Sequence, residues 1–113
     1  MADSTIACWD AKYTYWAPRP FMLDAGMTTV FTTPNHPSYP AAHACNSGAI
    51  GAMLSYLFPN DAEFFTAEAN EAAESRFWAG IHFRSDLTAG LALGRSVAQL
   101  VIEQRAKTDG ADQ

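Results

Sequence analysis

The chain has 113 residues, 49% of them hydrophobic, which suits one packed globule and excludes both a disordered chain and a two-domain protein. A formal net charge of −5 argues against nucleic acid as a partner, because the phosphate backbone rewards a basic face. Asp61, Glu63, Glu68, Glu71 and Glu74 crowd one stretch and read as a solvated helix face, whereas Lys12, Arg19 and Arg76 sit beside proline or aromatic residues.

In chain order, Thr5 to Trp16 reads as a helix entered from Asp3 or Ser4 as N-cap. Pro18 and Pro20 disfavour helical geometry at Ala17 and Arg19, so Ala17-Pro18-Arg19-Pro20 is a stiff, extended exit. Phe21 to Tyr39 shows no sustained period and is expected as a long loop, which in so small a domain usually serves a site. Pro40 suits the first position of a second helix, Ala41 to Leu57, studded with small residues that permit close packing. Pro59-Asn60-Asp61 caps a third helix with a buried stripe of Phe65, Ala69, Ala73 and Phe77. Arg76 and His82 would lie roughly 120° apart on an unbroken helix, so a break at Ala79-Gly80 is expected if both serve one site. A fourth helix then runs from about His82 to Ala106, with a seam of Leu87, Gly90, Leu91, Gly94, Val97, Ala98 and Val101. Asp109 to Gln113 reads as a frayed polar tail. The fold class is all-α, a bundle of about four helices with one long active-site loop, and residues 1–113 form one domain.

Cys8 and Cys45 show no CxxC spacing and are too few for a disulfide framework; they read as buried free thiols in a reducing compartment. No basic stretch followed by an apolar one opens the chain, so no signal peptide is expected. The longest near-apolar run, Gly48 to Phe58, is too short to span a bilayer. The expectation is a soluble, cytoplasmic protein with no membrane span.

Three clusters carry chemistry. His82 and Asp86 are one helical turn apart, so the carboxylate can fix the imidazole tautomer and present the other nitrogen as a lone pair. His43 follows Pro40 by one turn, where free backbone N–H groups favour an anion and an imidazole could deliver a proton beside it. Arg19 and Arg76 suit bidentate recognition of an oxyanion, and Lys12 precedes Arg19 by seven positions.

Taken together, Lys12-x6-Arg19-Pro20, then Pro40-Ala41-Ala42-His43, then Ser75-Arg76-x5-His82-x3-Asp86 resemble the signature of the vanadium haloperoxidase and type 2 phosphatidic-acid-phosphatase (PAP2) superfamily. The resemblance covers Trp9 to about Val101. His36-Pro37-Ser38-Tyr39-Pro40 and Gly80-Ile81-His82-Phe83 are similar to its haloperoxidase-like branch. It implies that Lys12, Arg19, Arg76 and the Ala42 N–H bind the oxygens of phosphate or vanadate. It implies that His82 attacks phosphorus or ligates vanadium, that His43 is the general acid and that Asp86 orients His82. Trp9 and His36 fall where the family places pocket residues, His36 where bromoperoxidases carry a second histidine. Ala41 departs from the family's Pro-Ser-Gly-His. A serine hydroxyl to a charged group is worth roughly 1.5–3 kcal/mol, about ten- to 150-fold in affinity, so a standing vanadate should suffer more than a turned-over ester.

The leading expectation is therefore a phosphate-monoester hydrolase working through a phosphohistidine, with no cofactor and no divalent-cation site. The alternative is a vanadate-dependent, bromoperoxidase-like haloperoxidase in which His82 ligates the metal. A non-catalytic anion-binding bundle is the third, and a zinc site of His36, His43 and His82 is disfavoured by the adjacent cations. A small phosphorylated or oxyanion ligand is the expected partner. The glycine- and alanine-lined faces of the second and fourth helices further predict a homodimer.

Overall fold

The computed structural model describes residues 1–111, with side chains to Thr108. It is all-helical, in the order α1 (Ala2–Tyr15), α2 (Pro20–Leu23), α3 (Ala42–Leu57), a 3-10 turn (Pro59–Asp61), α4 (Ala62–Trp78) and α5 (Arg84–Ala111). Among the described residues no helix is long and apolar enough to cross a membrane.

Helix α3 is the centre, packed on α5 and α4, with α1 laid across α3 and α5. The buried residues are mostly short, and one cluster joins Ala41, Ala44, Ala73 and Leu87, with Phe77 and Leu91 against it. Short side chains make it work by drawing backbones together. A Cβ on Gly94 would land on the Cys45 carbonyl, so α5 meets α3 where only hydrogen fits. The small-residue faces of the second and fourth helices thus cover each other inside one chain, which removes them as the ground for a second copy. The expected stripe on α4 holds, with Ala69 and Ala73 buried and Phe77 on the core. On α5 the seam stops at Ala98, and Val101 is 39% exposed.

Several boundaries differ from the sequence reading, each for a local reason. Helix α1 starts at Ala2 rather than after an Asp3 or Ser4 cap. Buried Ser4 turns its hydroxyl to Met1 O at 2.8 Å and lies 3.1 Å from Asn46 Oδ1 on α3. The loop after Arg19 opens with the single turn of α2, its start preset by Pro20. Pro40 lies before the α3 cap: Ala41 is extended, with φ −73° and ψ 122°, and donates its N–H to Asp86 O at 3.0 Å. Helix α5 begins at Arg84, two residues later than expected. It continues through Asp109, Gly110 and Ala111, which were read as tail; Asp112 and Gln113 of that tail lie outside the described residues.

Cys8 and Cys45 form a disulfide between α1 and α3. They are buried, as expected, but they are not free thiols, and the ground for assigning a reducing compartment goes with them. Neither spacing nor count could show that two cysteines 37 positions apart face each other across a helix pair.

Candidate active site

The α4–α5 break builds the first wall of the site. Helix α4 ends at Trp78, and Gly80 takes φ +82°, a left-handed turn that disfavours any side chain. Ile81 and His82 follow inward, 1% and 4% exposed. His82 therefore precedes α5 rather than riding on it. Asp86, in the first turn of α5, reaches back to accept from Phe83 N at 2.9 Å, as in a capping box. The same oxygen lies 3.2 Å from His82 Nδ1, so the helix cap and the imidazole share one acceptor.

The second wall comes from α1 and the segment after it. Lys12 and Arg19 are buried, at 0% and 1% exposure. Lys12 Nζ donates to Pro37 O at 2.7 Å and stands 5.9 Å from the centre of the Trp9 ring. Arg19 donates from Nε to His36 O at 2.9 Å and from Nη1 to Ile81 O at 2.8 Å. Its Nη1 also lies 3.1 Å from His82 Nε2, and its Nη2 lies 3.2 Å from His36 Nδ1. Trp9 meets the His36 ring edge-on at 4.7 Å. The long loop is thus strung between the cations and the α4–α5 turn, with Ser38 N–H bonded to Ala17 O and Val30 N–H to Ala79 O.

Among the described residues, neither Lys12 nor Arg19 is paired with a carboxylate at contact distance, whereas His82 pairs with Asp86 and Arg84 with Glu74. Two buried cations without direct counter-ions are costly unless an anion joins them. Burial, then the nearby Arg19, holds Lys12 down at about 8, with Asp86 partly offsetting them. Burial also lowers Arg19, again offset by Asp86.

The histidines are all pushed toward the neutral form. For His82 burial leads, and Arg19 and Lys12 add to it against the pull of Asp86. His36 falls to about 4, through burial first and then Lys12 and Arg19. Asp86 is raised by burial, but bonds from His82, Ser38 and Phe83 outweigh this and bring it below its ordinary value. The pair is therefore a carboxylate accepting from a neutral imidazole. Nδ1 carries the proton, and Nε2 offers a lone pair toward the Arg19 guanidinium.

Arg76 and His43 stand outside this hydrogen-bonded group, within electrostatic reach of each other. Arg76 is half-buried, its guanidinium 5.5 Å from the Phe31 ring centre and its Nε bonded to Ser75 Oγ at 3.1 Å. His43 is exposed one residue into α3, and its pKa is lowered by burial, then Arg76, then Lys12. Ala42 is the first residue of α3, where backbone N–H groups have no intrahelical acceptor. Ala41 is fully buried, and its side chain has no hydroxyl to offer an anion.

The structure thus brings Trp9, Lys12, Arg19, His36, His82 and Asp86 into one connected group, while His43 is linked to Arg76 and to Lys12 by charge alone. Arg19 lies between His36 and His82, which disfavours a zinc ion shared by them. The sequence reading missed Ser38, whose buried hydroxyl donates to Asp86 Oδ2 and lies 3.4 Å from His82 Nδ1. Its only signal was a place in the string His36 to Pro40.

A family model of the PAP2 superfamily matches residues 1–109. The chain belongs to the PAP2 superfamily. Among solved structures, this PAP2 chain resembles a bacterial vanadium-dependent iodoperoxidase. The two share 30% identity and a TM-score of 0.81, over 90% of this chain and 30% of that one. It also resembles a transmembrane PAP2-type phosphatidylglycerolphosphate phosphatase from Bacillus subtilis. There the identity is 19% and the TM-score 0.75, over 94% of this chain and 55% of the other, a likeness of fold alone. No curated protein matches the chain. The PAP2 chain therefore spans less than two thirds of either solved relative.

Proposed function

We propose that this PAP2 chain carries the catalytic core of a phosphate-monoester hydrolase. The observation behind the reading is the pair of buried, counter-ion-free cations flanking an imidazole whose Nε2 presents a lone pair. Entering past His43 and Arg76, a monoester dianion draws the Arg19 N–H from His82 Nε2 onto its own oxygens. Lys12, Arg76 and the Ala42 N–H complete the cradle. Nε2 attacks phosphorus, the N–P bond forms and the P–O bond to the leaving group breaks, while His43, protonated once the dianion offsets the charges of Arg76 and Lys12, gives that oxygen its proton. Asp86 steadies the imidazole cation through Nδ1–H. Water then attacks phosphorus with His43 taking its proton, the N–P bond breaks, and inorganic phosphate leaves with His82 restored. Cations fixed in a dry site act on charge as it spreads in the transition state, where most of the rate gain arises. A cavity of about 580 Å³, with Tyr13, Trp16, Phe21 and Met22 in its wall, adjoins the floor through His36 and Pro37 and has room for an organic leaving group.

A vanadate-dependent haloperoxidase is the second reading, favoured by the 30% likeness to the iodoperoxidase and by His36 held against Arg19. The same residues fit vanadate: Lys12, Arg19, Arg76 and the Ala42 N–H would hold its oxygens, and His82 Nε2 would be the ligand. Bound vanadate would supply activation of peroxide toward halide. The missing hydroxyl at Ala41 weakens retention of a standing ion, which places hydrolysis first.

Hydrolysis of p-nitrophenyl phosphate should survive EDTA, be inhibited by vanadate and fall by at least roughly 10³ in His82→Ala. Unchanged hydrolysis in that variant discards the mechanism. Bromide or iodide oxidation by the vanadate-loaded protein, without ester hydrolysis, would establish the second reading instead. Anion binding with neither turnover would leave a binding module.

A further inference from the structure

We infer that Ser38 is a positioning residue: its buried hydroxyl anchors the Asp86 carboxylate, and through it keeps the proton of His82 on Nδ1 while an anion occupies the site. The inference rests on the reading of His82 Nε2 as the atom that meets the anion.

Three donors converge on Asp86 Oδ2: Ser38 Oγ, Phe83 N at 2.9 Å and His82 Nδ1 at 3.2 Å. The imidazole bond is the longest of the three, beyond the ~2.7–2.9 Å of a strong charge-assisted bond. Ser38 and Phe83 therefore locate the oxygen, and the imidazole takes what they locate. Ser38 is itself held in place by its surroundings, at 0% exposure, with its N–H on Ala17 O and Pro37 beside it bound to Lys12. The loop that holds Lys12 thus also holds the far side of the nucleophile.

The need for such an anchor follows from what the anion does. In the free protein, Arg19 donating to Nε2 favours the Nδ1–H tautomer. Once the guanidinium turns to the anion, Nε2 faces oxygens that would rather accept a proton from it. Asp86 is then the group that holds the proton on Nδ1, and a carboxylate free to rotate would do so poorly. Ala41 N–H fixes the backbone of Asp86 at its carbonyl, and Ser38 fixes the side chain.

The experiment is NMR of protein with ¹⁵N-labelled imidazoles, comparing wild type with Ser38→Ala and Ser38→Thr. Solvent exchange of the His82 Nδ1–H should be about tenfold faster in Ser38→Ala, the loss of one bond to a charged acceptor. It should return toward wild type in Ser38→Thr, while the backbone amide of Cys45 exchanges as before in both. In turnover, kcat should fall about tenfold with KM within about twofold. Folded Ser38→Ala with wild-type Nδ1–H exchange overturns the inference. Should Ser38→Ala fail to fold, the wild-type hydroxyl proton of Ser38 decides: slow exchange supports the anchor, and exchange at the solvent rate overturns it. Because the proton readout needs no turnover, an absence of hydrolysis would count against the proposed reaction and leave this test intact.

Discussion

At the residue scale the site works by keeping charge where water cannot reach it. Lys12 is the most exposed consequence in pH terms, because burial and Arg19 hold it near 8 rather than 10.5. An amine that has lost its proton no longer attracts an anion by charge, so affinity for sulfate, a dianion throughout this range, should hold steady up to about pH 8. Above that it should fall by up to about tenfold per pH unit as Lys12 loses its proton. Calorimetric titrations across this range read the effect, and Lys12→Met should bind weakly with that slope gone. A slope surviving in Lys12→Met would show that another group titrates. The cations, His43 and His82 were legible in the sequence because each stands in a spaced cluster of chemically committed residue types. Ser38 was not, since a serine among prolines declares nothing until a carboxylate 48 positions away folds against it.

At the element scale the weak point is α1. Its buried residues are Ser4, Cys8 and Lys12, a stripe at four-residue spacing with no aliphatic side chain in it. Such a face gains little from hydrophobic burial, so the disulfide to Cys45 carries much of the docking. It lies one turn from Lys12 on α1 and two residues from His43 on α3. Closing a loop of 37 positions is worth about 2–4 kcal/mol. A dithiol reductant, or Cys8→Ser with Cys45→Ser, should therefore lower Tm by more than about 10 °C and weaken phosphate binding by loosening Lys12. An unchanged Tm after verified reduction would show that α1 is held by its polar contacts. The helix ends teach a related lesson. Pro40 promised a helix start, and Asp86 promised a turn shared with His82. At Pro40 the boundary moved because a tertiary bond, Ala41 N–H to Asp86 O, set the cap, and at His82 because a local one, Phe83 N–H to Asp86, did so.

At the scale of the whole molecule, the glycine faces that suggested a homodimer are spent inside the chain. Self-association stays a proposal to which no face is assigned, and the oligomeric state in solution tests it. Sedimentation at micromolar concentration should show a dimer. A compact monomer for the unmodified chain would remove the proposal.

The sequence alone determined the helical class, the break at Gly80 and the set of cations and imidazoles, because periodicity, proline and glycine chemistry and fixed spacing act locally. Tertiary structure decided that Cys8 meets Cys45, that the small-residue faces of α3 and α5 consume each other and that Ser38 stands behind the His82–Asp86 pair. These are contacts between distant stretches, and nothing in a residue's own neighbourhood names its partner until the backbones have closed on one another.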